Sequence, residues 1–268
     1  MNWKRILIGS WSWKRPLYSI VSIYLVLAIL AFFFADKLIF QPPGEAYPEN
    51  RNHFEVTGAE GEEVALYYHP AAEGMPTLLW SHGNAENIGQ LKVEMDSLNY
   101  EGFGILAYDY PGYGESDGKP SEKECYRSIK AAYDFLVSEK KCPVEKIILV
   151  GRSVGSGPTC WLAAHEKHGA VALISPFLST FRTATKIPLF LGDRFQNLNR
   201  IVEFETPLLI IHGEEDSIIP LSHGKRLYEL SPSENKTFLP VEDGDHNNLF
   251  SLGELNLAAE LQLSLIHI

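Results

Sequence analysis

Cysteine is scarce in this chain: Cys125, Cys142 and Cys160 are the only three among 268 residues. A helix read over 121–139 sets Cys125 and Cys142 near its opposite ends, roughly 20 Å apart at ~1.5 Å per residue. A disulfide tolerates only ~7 Å between Cα atoms, which argues against that pairing and leaves Cys160 to pack inside a later helix. No spacing of cysteine and histidine resembles a zinc site, so neither a metal nor a cofactor is expected. Positive charge is also short, with 23 Lys and Arg against 34 Asp and Glu and a net charge of -11. Residues 1–37 are locally basic, holding Lys4, Arg5, Lys14, Arg15 and Lys37 against Asp36 alone, so the remainder is more acidic still. Such a surface is repelled by phosphate backbones and anionic headgroups, which argues against nucleic acid as a partner. Repeats and disordered tracts are absent, and 45% hydrophobic with 21% charged residues is the composition of one globular α/β domain plus a short addition.

That addition is an apolar run. Residues 17–35 carry no charged side chain, and as a helix they span about 28 Å, close to the ~30 Å core of a bilayer. Lys4, Arg5, Lys14 and Arg15 all precede the run, which by the positive-inside tendency keeps the N-terminus cytoplasmic and sends the domain to the other side. Trp3, Trp11, Trp13 and Tyr18 fit an aromatic belt. A cleaved signal peptide competes with this reading, but the run is long and Phe32-Phe33-Phe34-Ala35 makes a poor cleavage site. The expectation is an uncleaved, single-pass signal-anchor. Residues 1–37 are then tail and transmembrane helix, 38–51 a linker marked by Pro42, Pro43, Gly44 and Pro48, and 52–262 the folded domain.

Within that domain, residues 53–56 and 64–68 read as an antiparallel pair, followed by strands at 77–80, 104–109, 146–150, 170–174, 207–211 and 236–239. A helix is expected over 88–100. Another begins at Ser121, which with Glu124 makes a capping-box pattern. Strands with near-continuous apolar interiors, alternating with helices, imply a mostly parallel sheet covered on both faces.

The chain is organised around Ile147-Ile148-Leu149-Val150-Gly151-Arg152-Ser153-Val154-Gly155-Ser156-Gly157. A β-branched run passing into Gly-x-Ser-x-Gly and then into a helix is the strand, sharp turn and helix of a nucleophile elbow, with Ser153 at its apex. A serine hydroxyl needs a base within hydrogen-bond reach, and the base needs a group to hold its tautomer. His246 is the candidate base, in a polar loop after the last strand and flanked by Gly244. Asp216 is the candidate acid, after the strand at 207–211, with Glu214 and Glu215 as rivals. The order Ser153, Asp216, His246 matches one of the three common serine hydrolase designs and departs from the other two. Candidate oxyanion-hole donors are the backbone N–H groups of Val154, just after the serine, and of Asn84, in the loop after strand 77–80. His82 is expected to order that loop.

These residues carry a resemblance. Ser81-His82-Gly83-Asn84-Ala85-Glu86-Asn87-Ile88, Asp109-Tyr110-Pro111-Gly112-Tyr113-Gly114-Glu115-Ser116, Gly151-Arg152-Ser153-Val154-Gly155, His212-Gly213 with Asp216 and Pro220, and Gly244-Asp245-His246 make the chain similar to the α/β-hydrolases. More narrowly it resembles the membrane-anchored serine hydrolases of the Bem46 and ABHD type, and the resemblance includes the anchor followed by Ile39-Phe40-Gln41-Pro42-Pro43. It implies an α/β-hydrolase fold and a serine hydrolase acting on acyl esters, lysophospholipids or thioesters, the substrate being a small molecule, a lipid or an acylated protein. A serine peptidase of the same fold and a catalytically silent interaction module are the alternatives. Peptidases of this fold often carry a propeller or large lid, and a haloalkane-type mechanism would need an aspartate at position 153.

Residues 176–206 leave room for only one or two short helices as a cap, where Phe177, Leu178, Phe181, Ile187, Leu189 and Phe190 either rim a substrate pocket or simply cover the sheet. At the other end, Leu263-Ser264-Leu265-Ile266-His267-Ile268 is the peptide that the end of a transposase adapter used in sequencing libraries would encode. The expectation is that these six residues are foreign and that the reading frame runs on past Gln262. A native stop codon directly after Ile268 at the locus would contradict it. The anchor reading gives a second expectation: protease added to intact cells or spheroplasts digests the domain and spares the short N-terminal tail, whereas a fully protected domain would reverse the orientation.

Overall fold

The structure, a computed structural model, describes residues 13–43, 53–58, 61–185, 187, 191–252 and 255–265. Trp3, Trp11, Lys4, Arg5, most of the expected linker, Leu189, Phe190 and Ile266 to Ile268 lie outside the described residues.

Among the described residues, eight strands form one sheet in the order β1-β2-β4-β3-β5-β6-β7-β8. The strands are β1 (His53–Thr57), β2 (Glu63–His69), β3 (Thr77–Ser81), β4 (Gly104–Tyr108), β5 (Ile147–Arg152), β6 (Ala170–Ile174), β7 (Leu208–Gly213) and β8 (Lys236–Val241). Strands β1 and β2 pair antiparallel, as do β2 and β4, and every later pairing is parallel. This is the doubly covered sheet that the apolar runs imply.

The central strands show why their sequence does not alternate in polarity. Successive side chains point to opposite faces, and both faces are buried. Leu149 joins a core with Leu79, Leu106 and Leu173, while Ile148 and Val150 join a second core with Leu78, Trp80, Ala172 and Ile211. Helices α3 (Glu122–Asp134) and α4 (Ser156–His165) cover the first face, and α2 (Lys92–Tyr100) and α8 (Leu257–Leu265) the second. Burying a large aliphatic side chain is worth roughly 2 kcal/mol relative to exposure, so these two layers hold the sheet rigid enough to place loops at its carboxyl edge. The three cysteines are free thiols, and Cys160 is fully buried as expected.

Two expected boundaries move. The helix placed at 88–100 begins only at Lys92. Asn87 Oδ1 accepts the Gln90 N–H at 3.1 Å while Gln90 Oε1 accepts the Asn87 N–H at 3.0 Å, a side-chain turn that competes with the first helical turn. The helix from Ser121 is capped as expected, Ser121 Oγ accepting the Glu124 N–H at 3.3 Å, but it widens into a single π-turn over Phe135–Glu139.

The N-terminal helix α1 (Lys14–Ile39) is longer than the uncharged run, taking in Lys14, Arg15 and Pro16 at its start and Asp36 to Ile39 at its end. Pro16 is tolerated because the first-turn N–H groups have no intrahelical acceptor. Among the described residues it is the one helix long and apolar enough to cross a membrane. Its last turns dock onto the domain: Ala35 and Phe40 are buried, and Arg194 Nε meets Asp36 Oδ1 at 3.0 Å.

Between β6 and β7 the expected minimal cap is present as two short helices, α5 (Thr180–Ala184) and α6 (Asn197–Arg200). Helix α7 (Ser222–Leu230) follows β7.

Candidate active site

At the end of β5 the chain turns sharply through Ser153, whose φ of 51° lies in the left-handed region. A non-glycine residue there costs of order 1–3 kcal/mol and persists only where the surroundings over-determine it. They do so through close backbone approach. A Cβ on Gly155 would fall 2.2 Å from Ser81 O, and one on Gly151 2.6 Å from Thr159 Oγ1 and 2.7 Å from Gly155 O. The two glycines of Gly-x-Ser-x-Gly are therefore steric requirements. Ser156 Oγ donates to Ser153 O at 2.7 Å and in turn accepts from the buried Asn197 Nδ2 at 3.0 Å, which ties the turn to the cap.

The three residues singled out as nucleophile, base and acid come together from the ends of three strands. Ser153 Oγ lies 2.9 Å from His246 Nε2, and His246 Nδ1 lies 2.8 Å from Asp216 Oδ2. The other oxygen, Asp216 Oδ1, accepts the backbone N–H groups of Ile218 at 3.0 Å and Ile219 at 2.7 Å. Burial pushes the Asp216 carboxyl up, but the His246 hydrogen bond, the Ile219 N–H and the nearby imidazoles outweigh it and hold the carboxyl below its ordinary value. An ionised carboxylate can only accept. Nδ1 of His246 therefore carries the proton facing it, and Nε2 is left free to accept from Ser153 Oγ.

Burial separates the three neighbouring carboxylates. The Asp216 side chain is inaccessible to solvent, whereas Glu214 and Glu215 are exposed. His212, which had no assigned part, packs beneath this loop. Its Nε2 donates to Ile219 O at 2.7 Å and sits 3.6 Å from Asp216 Oδ2, and burial lowers its pKa, which favours the neutral ring. On the histidine side, Asp245 Oδ1 accepts the N–H groups of Asn247 and Asn248, and Asn248 Oδ1 accepts that of Asp245. The His246 loop is thus a closed local network, a geometry Asp and Asn favour outside helices.

The loop after β3 lies beside the nucleophile turn because Ser81 and Gly151 are register partners. Its His82 packs against Tyr110 with ring centroids 4.1 Å apart and the planes tilted by 42°, with Nδ1 donating to Gly83 O at 2.7 Å and Nε2 3.3 Å from the buried Asp109 Oδ1. The Asn84 side chain faces the end of α1: Nδ2 donates to Ile39 O at 2.6 Å, and Oδ1 accepts the Gln41 N–H at 3.0 Å and the Tyr113 hydroxyl at 2.7 Å. Glu86 bonds the Gly83 N–H with one oxygen and the Arg152 guanidinium with the other, while Arg152 Nη2 reaches His246 O at 3.4 Å. Sequence reasoning missed this Arg152–Glu86 bridge, although both residues sit inside the motifs it singled out. Side-chain exposures of 12% and 20% make the pair partly buried, so breaking it costs more than an exposed pair would.

Asn84, Val154, Ser153 and His246 all border one cavity of about 630 Å³, within the usual range of small-molecule sites. Phe177 and Phe181 from the cap line it, as do Ala31, Ala35, Leu38 and Ile39 from α1. Of the other expected rim residues, Leu178 is buried in the core and Ile187 is exposed. No group of metal-ligating side chains is found among the described residues.

Comparison with known proteins places the chain in a family. The family model described as the alpha/beta hydrolase fold matches residues 76–200. The alpha/beta hydrolase domain-containing protein aho-3 of Caenorhabditis elegans is 40% identical over 176 residues, covering 65% of this chain and 53% of that protein. The alpha/beta hydrolase domain-containing protein 17B of Xenopus tropicalis is 41% identical over 211 residues, covering 75% of this chain and 71% of its own length. The chain thus spans about half the length of aho-3 and more of the frog protein. Among solved structures, an esterase of Pyrococcus furiosus superposes with a TM-score of 0.67 at 18% identity, covering 84% of this chain and all of that one, a likeness of fold.

The choice between neighbouring carboxylates yields a test. Asp216→Asn should lower kcat by up to about four orders of magnitude, the scale seen when such an acid is neutralised, while Glu214→Gln and Glu215→Gln stay close to wild type. Ester-hydrolysis kinetics of the three variants check this, and a glutamate variant as damaged as Asp216→Asn would contradict the assignment of Asp216.

Proposed function

We propose that this chain, which belongs to the α/β-hydrolase domain-containing family, is a hydrolase that cleaves carboxylic esters or thioesters through an acyl-enzyme on Ser153. The observation that carries this reading is the unbroken hydrogen-bonded line from Asp216 through His246 to Ser153 Oγ, which ends at an apolar cavity.

The steps follow from the atoms in place. Ser153 Oγ attacks the carbonyl carbon as His246 Nε2 takes its proton, and the C=O bond opens to a tetrahedral oxyanion. Asp216 stabilises the imidazolium without accepting its proton. The oxyanion forms beside the N–H groups of Val154 and Asn84, where loss of one donor typically costs about 3 kcal/mol of transition-state stabilisation. His246 then gives its proton to the leaving alcohol or thiol as the bond to the carbonyl breaks. Water, deprotonated by the same nitrogen, attacks the acyl-enzyme, and the acid is released with Ser153 regenerated.

Helix α1 supports a membrane-anchored form of this enzyme, and the basic residues ahead of its apolar run, Lys4, Arg5, Lys14 and Arg15, favour a cytoplasmic N-terminus with the catalytic domain on the far side. Large apolar side chains along it are exposed from Leu17 to Leu38. A patch of that extent on a soluble surface marks a lipid or protein contact, and the length of α1, ~39 Å at 1.5 Å per residue, exceeds the bilayer core. The small cap leaves the cavity open to soluble esters as well as to acyl groups held on lipids or proteins.

Ser153→Ala should reduce turnover on the order of a millionfold, and His246→Ala as much, because residues acting as one unit are each indispensable. Both should fold, since neither substitution overfills the core. Hydrolysis of para-nitrophenyl acetate, with a fluorophosphonate probe as a second readout, checks this. Wild-type turnover or labelling in Ser153→Ala would overturn the proposal.

A further inference from the structure

The cavity at Ser153 has two dissimilar sides. One bears the reacting groups, Ser153, His246 and the Asn84 loop. The other is supplied by α1, through Ala31, Ala35, Leu38 and Ile39. These four positions are spaced i, i+4, i+7 and i+8, so they form one stripe on one face of the helix. Their side chains are wholly aliphatic and offer a ligand nothing to hydrogen-bond.

This side is held in place by several separate contacts. Arg194 Nε pairs with Asp36 Oδ1 at 3.0 Å. Phe40 is buried with its ring 6.0 Å from that of Phe195. Asn84 bonds the backbone at Ile39 and Gln41, and Tyr113 Oη accepts the Gln41 N–H at 2.9 Å. The cap presses so close to α1 that a Cβ on Gly192 would lie 2.6 Å from Phe32 Cδ2. A helix fixed at so many points keeps its stripe at a constant distance from Ser153, whatever the rest of α1 is embedded in.

A rigid aliphatic wall leading away from a nucleophile fits a hydrocarbon chain. Apolar contact along such a chain is favourable for each methylene removed from water, whereas a polar substituent placed there would lose its hydration without replacement. Resting on the assignment of Ser153 as nucleophile, we propose that the last turns of α1 form the acyl-chain wall of the site, and that Ala31 at its outer end limits the length of chain accepted. The anchor is then a specificity-determining part of the enzyme as well as a tether. Ala35, buried at the inner end, admits the first part of the chain, and Ala31, half-buried one helical turn further out, meets its end. A larger side chain at 31 fills the groove there and leaves the carbonyl position at Ser153 open.

The experiment compares kcat/KM for para-nitrophenyl laurate with that for para-nitrophenyl acetate, using the full chain in phosphatidylcholine nanodiscs. Ala31→Leu and Ala31→Phe should lower the laurate-to-acetate ratio in graded fashion, by roughly tenfold or more for phenylalanine, the scale on which a hydrophobic pocket discriminates small changes of size. Phe33→Leu, on a side of α1 that does not border the cavity, should leave the ratio at its wild-type value. An unchanged ratio in both Ala31 variants would overturn the wall assignment, as would an equal fall in Phe33→Leu, which would trace the effect to the helix in its lipid. Absence of hydrolysis of both esters by the wild type would remove the Ser153 reading itself, and so distinguishes the two failures.

Discussion

The left-handed backbone at Ser153 is the constraint on which the site depends. It lifts the hydroxyl out of the end of β5 toward His246, and it is held by the close approach of Gly155 to the carbonyls of Ser81 and His82. That contact in turn requires β3 and β5 to be neighbours in register, with Ser81 opposite Gly151. The two buried layers on either side of the sheet fix that register, since a slip of one residue would exchange the two cores. The strain at one residue is thus maintained by packing across the whole sheet, as expected where a functional conformation is stored against local preference.

From the same turn, Asp216, His246 and the loop carrying Asn84 are drawn together by polar contacts that bypass the strands. Asp216 is fixed by two backbone N–H groups as well as by His246, and His212 braces the loop from below. Arg152 spans the site from Glu86 to the His246 carbonyl, joining the Asn84 loop to the His246 loop through the residue beside Ser153. Asn84 carries the connection onward to the end of α1. Neutralising Asp216 by acid would therefore weaken both the orientation of His246 and the loop itself. Its depressed pKa means that stability contributed by this group is present above the unfolded pKa and is lost as pH falls through the folded value.

Much of this was legible in the sequence because it is local. The apolar run before Gly151, the glycine spacing around Ser153, the cap at Ser121 and the order Ser153, Asp216, His246 each depend on short stretches of chain with strong preferences. The boundary at Lys92 was missed because Asn87 and Gln90 exchange hydrogen bonds with each other's backbone, a choice that periodicity does not register. The sequence favoured Asp216 but kept Glu214 and Glu215 as rivals, because the burial that separates the three does not show in adjacent carboxylates. Least legible was the part played by α1. Its contacts with Asn84 and Arg194 bridge 45 and 158 positions, and an apolar stripe facing a cavity looks the same in sequence as one facing lipid.

The central claim is covalent: turnover passes through an acyl group on the Ser153 oxygen. It is tested most directly by quenching the full-length enzyme during turnover of a slowly deacylated ester and locating the adduct by peptide mass spectrometry. The account predicts one acyl group per chain, on the peptide containing Ser153, formed before steady state and lost at the steady-state rate. An adduct on another residue, or sustained turnover with Ser153 unmodified and acid released without a burst, would contradict it.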